Sequence, residues 1–166
     1  MTQLGFQIDQ ATEADLEGIM ELQAANQAEN GGSLSANLPR SRIVTMMNNT
    51  PLIVARRNTQ VVAFLMTSTR TMNTDVPIIR AMLDAYPGTD DAYVYGPICV
   101  DAKERGKGLA RAMFAKLRDM QPGREGILFV RRDNMASLRS HEKMGMHEVA
   151  NFEFRGVNHA VLNYFG

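Results

Sequence analysis

Apolar and polar positions alternate at Phe6, Ile8 and Gln10, and then the spacing changes. Leu16, Ile19, Met20 and Leu22 recur at helical intervals behind Thr12-Glu13-Ala14-Asp15, a capping-box variant. The pattern predicts a strand followed by a helix, which Glu29-Asn30-Gly31-Gly32-Ser33 breaks. After Pro39 a second helix carries Ile43, Val44, Met46 and Met47 up to Asn48-Asn49, and Pro51 closes it. Leu52 to Arg57 and Gln60 to Thr69 are β-rich runs separated by Asn58-Thr59, a hairpin signal. Thr71 to Asp91 is poorly patterned, although Pro77-Ile78-Ile79 and Met82-Leu83 predict a short helix that Pro87-Gly88 ends.

Ala92 to Val100 reads as a strand, dense in Tyr93, Val94, Tyr95, Ile98 and Val100. Gly96-Pro97 lies inside it, and since proline cannot donate to a ladder we expect a bulge or an unpaired edge there. A helix follows with the apolar stripe Leu109, Met113, Leu117 and Met120, ended by Gln121-Pro122-Gly123. Ile127 to Val130 is a short buried strand, Asn134 opens a further helix, and Gly145 stops it with a left-handed cap. His147 to Phe154 and His159 to Tyr164 predict a closing antiparallel pair. With no repeat or linker, residues 1–166 are expected to form one mixed α/β domain.

The chain has 166 residues, 45% of them apolar, enough for a real core. Lys plus Arg and Asp plus Glu both number 18, so there is no basic excess for phosphate backbones and nucleic-acid binding is not expected. The charges are nevertheless segregated. Residues 101–145 hold eleven Lys/Arg against six Asp/Glu, a net +5 that the rest of the chain offsets, which favours an anionic ligand in the C-terminal part or else a merely dipolar surface. Cys99 is the single cysteine, which excludes an internal disulfide and a cysteine-based zinc site, and His147 and His159 show no ligand spacing, so no metal is expected. The first residues lack a basic then apolar signal pattern and no apolar run is long enough to span a bilayer, so the expectation is a soluble, cytoplasmic protein. Twelve methionines give a plastic core or a pocket for a flexible acyl ligand.

The chemistry concentrates at Arg105-Gly106-Lys107-Gly108-Leu109-Ala110-Arg111, between the strand and its helix. The first amides of a helix lack intrahelical acceptors and its dipole favours negative charge, so a glycine turn at this place is an anion site or else an ordinary surface turn with helix-start glycines. Glycines at 106 and 108 free the backbone and let a pyrophosphate approach, and Arg105, Lys107 and Arg111 add charge. A dinucleotide fingerprint fails because its third small residue falls on Arg111, and a P-loop fails at Asp101 and Gly108.

This stretch resembles the Gln/Arg-x-x-Gly-x-Gly/Ala pyrophosphate motif of the GNAT N-acetyltransferase superfamily. Asn134-Met135-Ala136-Ser137 followed by His141-Glu142-Lys143-Met144-Gly145-Met146 is similar to that superfamily's closing helix, about 30 residues downstream with a strand between. The resemblance implies a mixed α/β GNAT-like fold, mostly antiparallel, with a splayed parallel pair and flanking helices. It implies acetyl-CoA as acyl donor, with backbone at Ile98, Cys99 and Val100 pairing with the pantetheine arm. The amides of Arg105, Gly106, Lys107, Gly108, Leu109, Ala110 and Arg111 would take the pyrophosphate, and Asn134, Ser137 and His141 would lie near the thiol end.

The chain departs from the family at His141, where many members carry a tyrosine that protonates the departing thiolate. Asn134, Ser137 and His141 share one helix face, and imidazole can both give and relay a proton, so His141 is the candidate acid. No titratable residue shares the strand parity of Val100. A bulge at Pro97 would instead turn Tyr93 or Tyr95 toward the acceptor, and Tyr95 is the second catalytic candidate, with a water chain as the alternative base. Cys99 has no His or Asp partner in sequence and reads as a buried strand thiol. The expected acceptor is a primary amine of a small molecule or amino acid. An acyl-CoA-binding module without turnover and a peptide N-acetyltransferase are the alternatives, and a homodimer is left open.

Overall fold

The computed structural model describes residues 2–3, 5–32, 34 and 36–166, and the side chains of all of these except Thr2, Gln3 and Ala28; Ser33 of the expected helix-breaking stretch lies outside them. In chain order the elements are β1 (Thr2–Gln3), β2 (Phe6–Gln10), α1 (Leu16–Ala25), α2 (Arg40–Asn49), β3 (Leu52–Arg57), β4 (Gln60–Thr69), α3 (Pro77–Ala85), β5 (Tyr93–Val100), α4 (Leu109–Met120), β6 (Glu125–Arg131), α5 (Met135–Lys143), β7 (His147–Phe154) and β8 (Val157–Phe165). They form two compact units, residues 1–67 with 96–120 and residues 68–95 with 121–166. The architecture is mixed α/β with mostly antiparallel strand pairs, one parallel pair and flanking helices.

In the first unit β1, β2, β3 and β4 pair antiparallel in that order. The alternation in β2 buries Phe6 and Ile8 and exposes Gln7, as one covered face requires, whereas β4 is buried continuously from Val61 to Ser68. Asn58 turns the β3–β4 hairpin at φ +56°, a left-handed conformation that asparagine tolerates. The start of α1 is tied to β3. Asp15 accepts the Thr12 backbone N–H at 2.8 Å and, one on each carboxylate oxygen, Nε and one Nη of the Arg56 guanidinium at 2.7 Å. Burial raises the Asp15 carboxyl, and these hydrogen bonds, Arg56 first, outweigh it and hold it below its ordinary value. Helix α4 packs on β2 and β3 through Leu109, Ala112, Met113, Phe114 and Leu117. Met120, expected in that stripe, is half-buried, because it ends the helix.

In the second unit β5 pairs parallel with β6, registered at Tyr93↔Gly126 and Val94↔Ile127, and β6, β8 and β7 follow antiparallel. The β7–β8 hairpin turns at Arg155 and Gly156, both at positive φ, and β8 begins at Val157, two residues earlier than the apolar pattern suggests, since ladder pairing continues up to the turn. The core here is Met82, Ala92, Val94, Ile127, Phe152 and Val161, with α3 packed on β7. Buried Glu125 pins the segment after α3: it accepts the Tyr86 hydroxyl at 2.6 Å, the Thr89 N–H at 2.7 Å and the Asn163 amide at 2.8 Å. Strand β5 continues through Gly96 and Pro97, with Gly96 at φ +116° and the peptide between them cis.

Candidate active site

The turn before α4 has the geometry of an anion cradle. Gly106 lies at φ +77° and Gly108 at φ +80°, and nothing lies within 4 Å of where a Gly106 side chain would start. The first i→i−4 bond of the helix runs from the Ala112 N–H to the Gly108 carbonyl at 3.0 Å. The amides of Leu109, Ala110 and Arg111 precede it and have no intrahelical acceptor, at the positive end of a 12-residue helix. Backbone donors, two positive-φ glycines, Gly106 with open space beside it, and an exposed approach fit a phosphate group.

The cations around the turn differ in kind. Lys107 donates to Glu104 at 2.6 Å, and Glu104 also takes the Arg57 guanidinium at 2.8 and 3.1 Å. The Arg57 bonds, then Lys107, hold the Glu104 carboxyl at about 2, so the trio carries a net +1. Lys107 therefore brings less charge to the turn than its sequence position suggests. Arg105 is held by neutral oxygens instead, donating to the Val100 carbonyl at 3.3 Å and to Asn26 Oδ1 at 3.1 Å. Arg111 is exposed.

The second unit brings the two catalytic candidates together. Asn134 caps α5, its Oδ1 accepting the Ser137 N–H at 3.2 Å, and one turn later His141 Nδ1 lies 2.7 Å from the Ser137 carbonyl oxygen and 3.2 Å from its hydroxyl. A carbonyl only accepts, so Nδ1 carries the proton and Nε2 is the acceptor. The Tyr95 hydroxyl donates to Nε2 at 3.1 Å, with the two rings edge to face at 5.5 Å. Both side chains are buried. Burial drives the His141 imidazole below its ordinary 6.5, partly countered by the Ser137 carbonyl, and drives the Tyr95 phenol well above its ordinary value. Tyr164 stands edge to face with both Tyr95 and Tyr93, and its hydroxyl meets that of Tyr93 at 2.5 Å.

Among the other candidates, Ile98 and Val100 are half-buried, and Cys99 is buried with its thiol pushed up to about 12 by burial, so it is no thiolate nucleophile. His147 is exposed, and His159 is buried, stacked on Phe152 at 4.9 Å. Among the described residues no three of His, Cys, Asp and Glu are grouped to hold a metal ion, and no helix is long and apolar enough to cross a membrane. Sequence reasoning missed Asn26 and Glu104. Glu104 stands three residues before Lys107, a spacing that brings side chains together, whereas nothing near Asn26 in sequence points to Arg105.

The sequence model of the Acetyltransferase (GNAT) family matches residues 19–146. No curated protein is similar in sequence. Among solved structures, a GNAT-family acetyltransferase from Streptococcus agalactiae superposes with a TM-score of 0.74 at 16% identity, covering 100% of this chain and 98% of that one. The putative acetyltransferase yncA from Salmonella typhimurium, solved with its cofactor acetyl-CoA, gives 0.68 at 17% identity over 96% and 93%. The ribosomal-protein-S18-alanine N-acetyltransferase from Escherichia coli gives 0.68 at 14% identity, over 96% and 93%. At these identities the likeness establishes the fold. Together with a family match across most of the chain and the glycine turn where the motif requires it, it leads to one assignment: the chain belongs to the GNAT acetyltransferase family.

Proposed function

We propose that this protein transfers an acetyl group from acetyl-CoA to a primary amine of a small molecule or amino acid. The observation that carries the reading is the turn Arg105–Arg111, whose positive-φ glycines and helix-start amides, which have no acceptor within the helix, suit the pyrophosphate of a CoA thioester. The backbone at Ile98, Cys99 and Val100 would hold the pantetheine arm, and Arg105 and Arg111 would supply the field for the phosphates.

In this reading Tyr95 and His141 handle the proton. The amine attacks the thioester carbonyl carbon; the C–N bond forms, the C–S bond breaks, and sulfur leaves with the electron pair. Tyr95 takes the proton lost from nitrogen on its hydroxyl oxygen while passing its own to His141 Nε2. The imidazolium is steadied by the Ser137 carbonyl, and return of the proton along the same path neutralises the thiolate. Burial disfavours a free phenolate, so the two transfers through Tyr95 are concerted and the phenol does not ionise. The pair supplies the base that no single position on β5 offered, and this favours turnover over a binding-only module.

The test is release of CoA thiol from acetyl-CoA across a panel of small amines, amino acids and N-terminal peptides. Amine-dependent release with a small acceptor supports the reading. Release only with peptides moves the acceptor class to peptide N-termini, and tight CoA binding with no release under any amine refutes the enzymatic reading.

A further inference from the structure

Asn26 closes α1, far along the chain from the anion turn, and is buried. Each polar atom of the residue is engaged, two on α1 itself, one on the returning loop and one on Arg105. Its Nδ2 donates to the Leu22 carbonyl at 2.9 Å, and its backbone N–H donates to the Gln23 carbonyl at 3.3 Å. Its backbone carbonyl accepts the Leu34 N–H at 3.0 Å, where the chain returns so closely that any side chain at Gly32 would overlap the Asn26 backbone. Its Oδ1 accepts the Arg105 guanidinium at 3.1 Å. The orientation of the amide is unambiguous, because a guanidinium only donates and a carbonyl only accepts.

A side chain that must hold a cation beside an anion site has two options. A carboxylate binds the guanidinium more tightly but cancels the charge that the ligand needs, as Glu104 does for Lys107. A neutral amide oxygen fixes the direction of the guanidinium and leaves its charge intact. Both acceptors of Arg105, Asn26 Oδ1 and the Val100 carbonyl, are of the second kind. Long arginine side chains lose considerable rotamer freedom on ordering, so a pre-set guanidinium binds an anion at lower entropic cost.

We infer that Asn26 is a positioning residue for the phosphate site: it sets Arg105 at the entrance of the turn without neutralising it, and so ties ligand binding there to the loop that follows α1. The inference rests on the reading of the turn as the CoA phosphate site, and the test separates the two. Coenzyme A is titrated calorimetrically into wild type, Asn26→Asp, Arg105→Ala and the double variant at two salt concentrations. Asn26→Asp places a carboxylate against the guanidinium, and the expected loss of affinity is on the order of tenfold, with a weaker salt dependence. In the Arg105→Ala background the same substitution should cost at least threefold less, because its target is gone. An equal loss in both backgrounds, which damage to the loop alone predicts, overturns the inference. If Asn26→Asp does not fold, Asn26→Ala in the same cycle decides: a loss of a few-fold that vanishes without Arg105 supports the inference, and an unchanged loss overturns it. Wild type that binds no coenzyme A would remove the phosphate-site reading and the inference with it, whereas binding with additive cycles removes only the inference.

Discussion

Gly126 offers a direct way to probe how the packing of β6 governs the Tyr95–His141 pair. A Cβ built at Gly126 falls within 2.5 Å of Cζ, the hydroxyl oxygen and Cε1 of Tyr164. Ordinary carbon contacts need about 3.5 Å or more, so the ring must retreat by roughly 1 Å in Gly126→Ala. It has little room to do so. Its hydroxyl already meets that of Tyr93 at 2.5 Å, and its faces and edges engage Tyr93 and Tyr95 at centroid distances of 6.2 and 6.0 Å. Overpacking of this kind costs about 1–3 kcal/mol, or roughly a 5- to 150-fold shift in the folding equilibrium. Displacement of Tyr164 passes to Tyr95, whose bond to His141 at 3.1 Å weakens once it lengthens by a few tenths of an ångström. Gly126→Ala should therefore unfold at lower urea and turn over acetyl-CoA about tenfold or more slowly, with CoA affinity little changed, since the phosphate turn is untouched. Gly126→Ala with Tyr164→Leu, which removes the struck ring, should recover part of the stability but not the rate. An alanine variant with wild-type urea midpoint and wild-type turnover would refute the reasoning.

Other expectations follow from the same contacts. His141→Ala should lower turnover roughly 10²-fold or more with little change in CoA affinity; normal turnover in folded His141→Ala, measured by thiol release at saturating substrates, would move the proton elsewhere. Gly108→Asp, at φ +80°, should abolish CoA binding by calorimetry while circular dichroism stays near wild type, because a charged side chain enters the phosphate's space. Stability should fall in two stages on acidification. His141 and His159 are held below 6.5 mainly by burial, so the unfolded chain takes up protons that the folded chain refuses, and stability declines as pH drops from about 7. Asp15, Glu104 and Glu125 are all held below their ordinary values and stay charged in the fold, so a second decline begins below about pH 4.5, as the unfolded carboxylates protonate. Urea midpoints measured between pH 8 and 3 check both, and a flat profile from pH 7 to 5 would contradict the histidine part.

Most elements were legible because their determinants are local. The Thr12–Asp15 box, the Asn134 cap, the Pro77 start, the Asn58 turn and the glycines at 106, 108 and 145 each act over a few residues, so spacing alone reveals them. The anion turn belongs to this class, as the geometry of a helix start follows from the residues that build it. Strand β1 escaped notice because two residues carry no period, and the run through Pro97 gave no side-chain parity to trust, Tyr93, Val94 and Tyr95 all being buried. What only the tertiary structure decided are the partners. Tyr95 and His141 stand 46 residues apart, Arg57 and Glu104 47, and Asn26 and Arg105 79. Which side chains meet at such separations depends on strand order and register, where a shift of one residue reverses every face, and no short-range pattern encodes it. The sequence by itself therefore determined a glycine turn at the start of α4; the fold decided that Arg105 is held there by neutral oxygens while the charge of Lys107 is partly cancelled by Glu104, and that a histidine and a tyrosine, each costly to ionise in isolation, share one hydrogen bond.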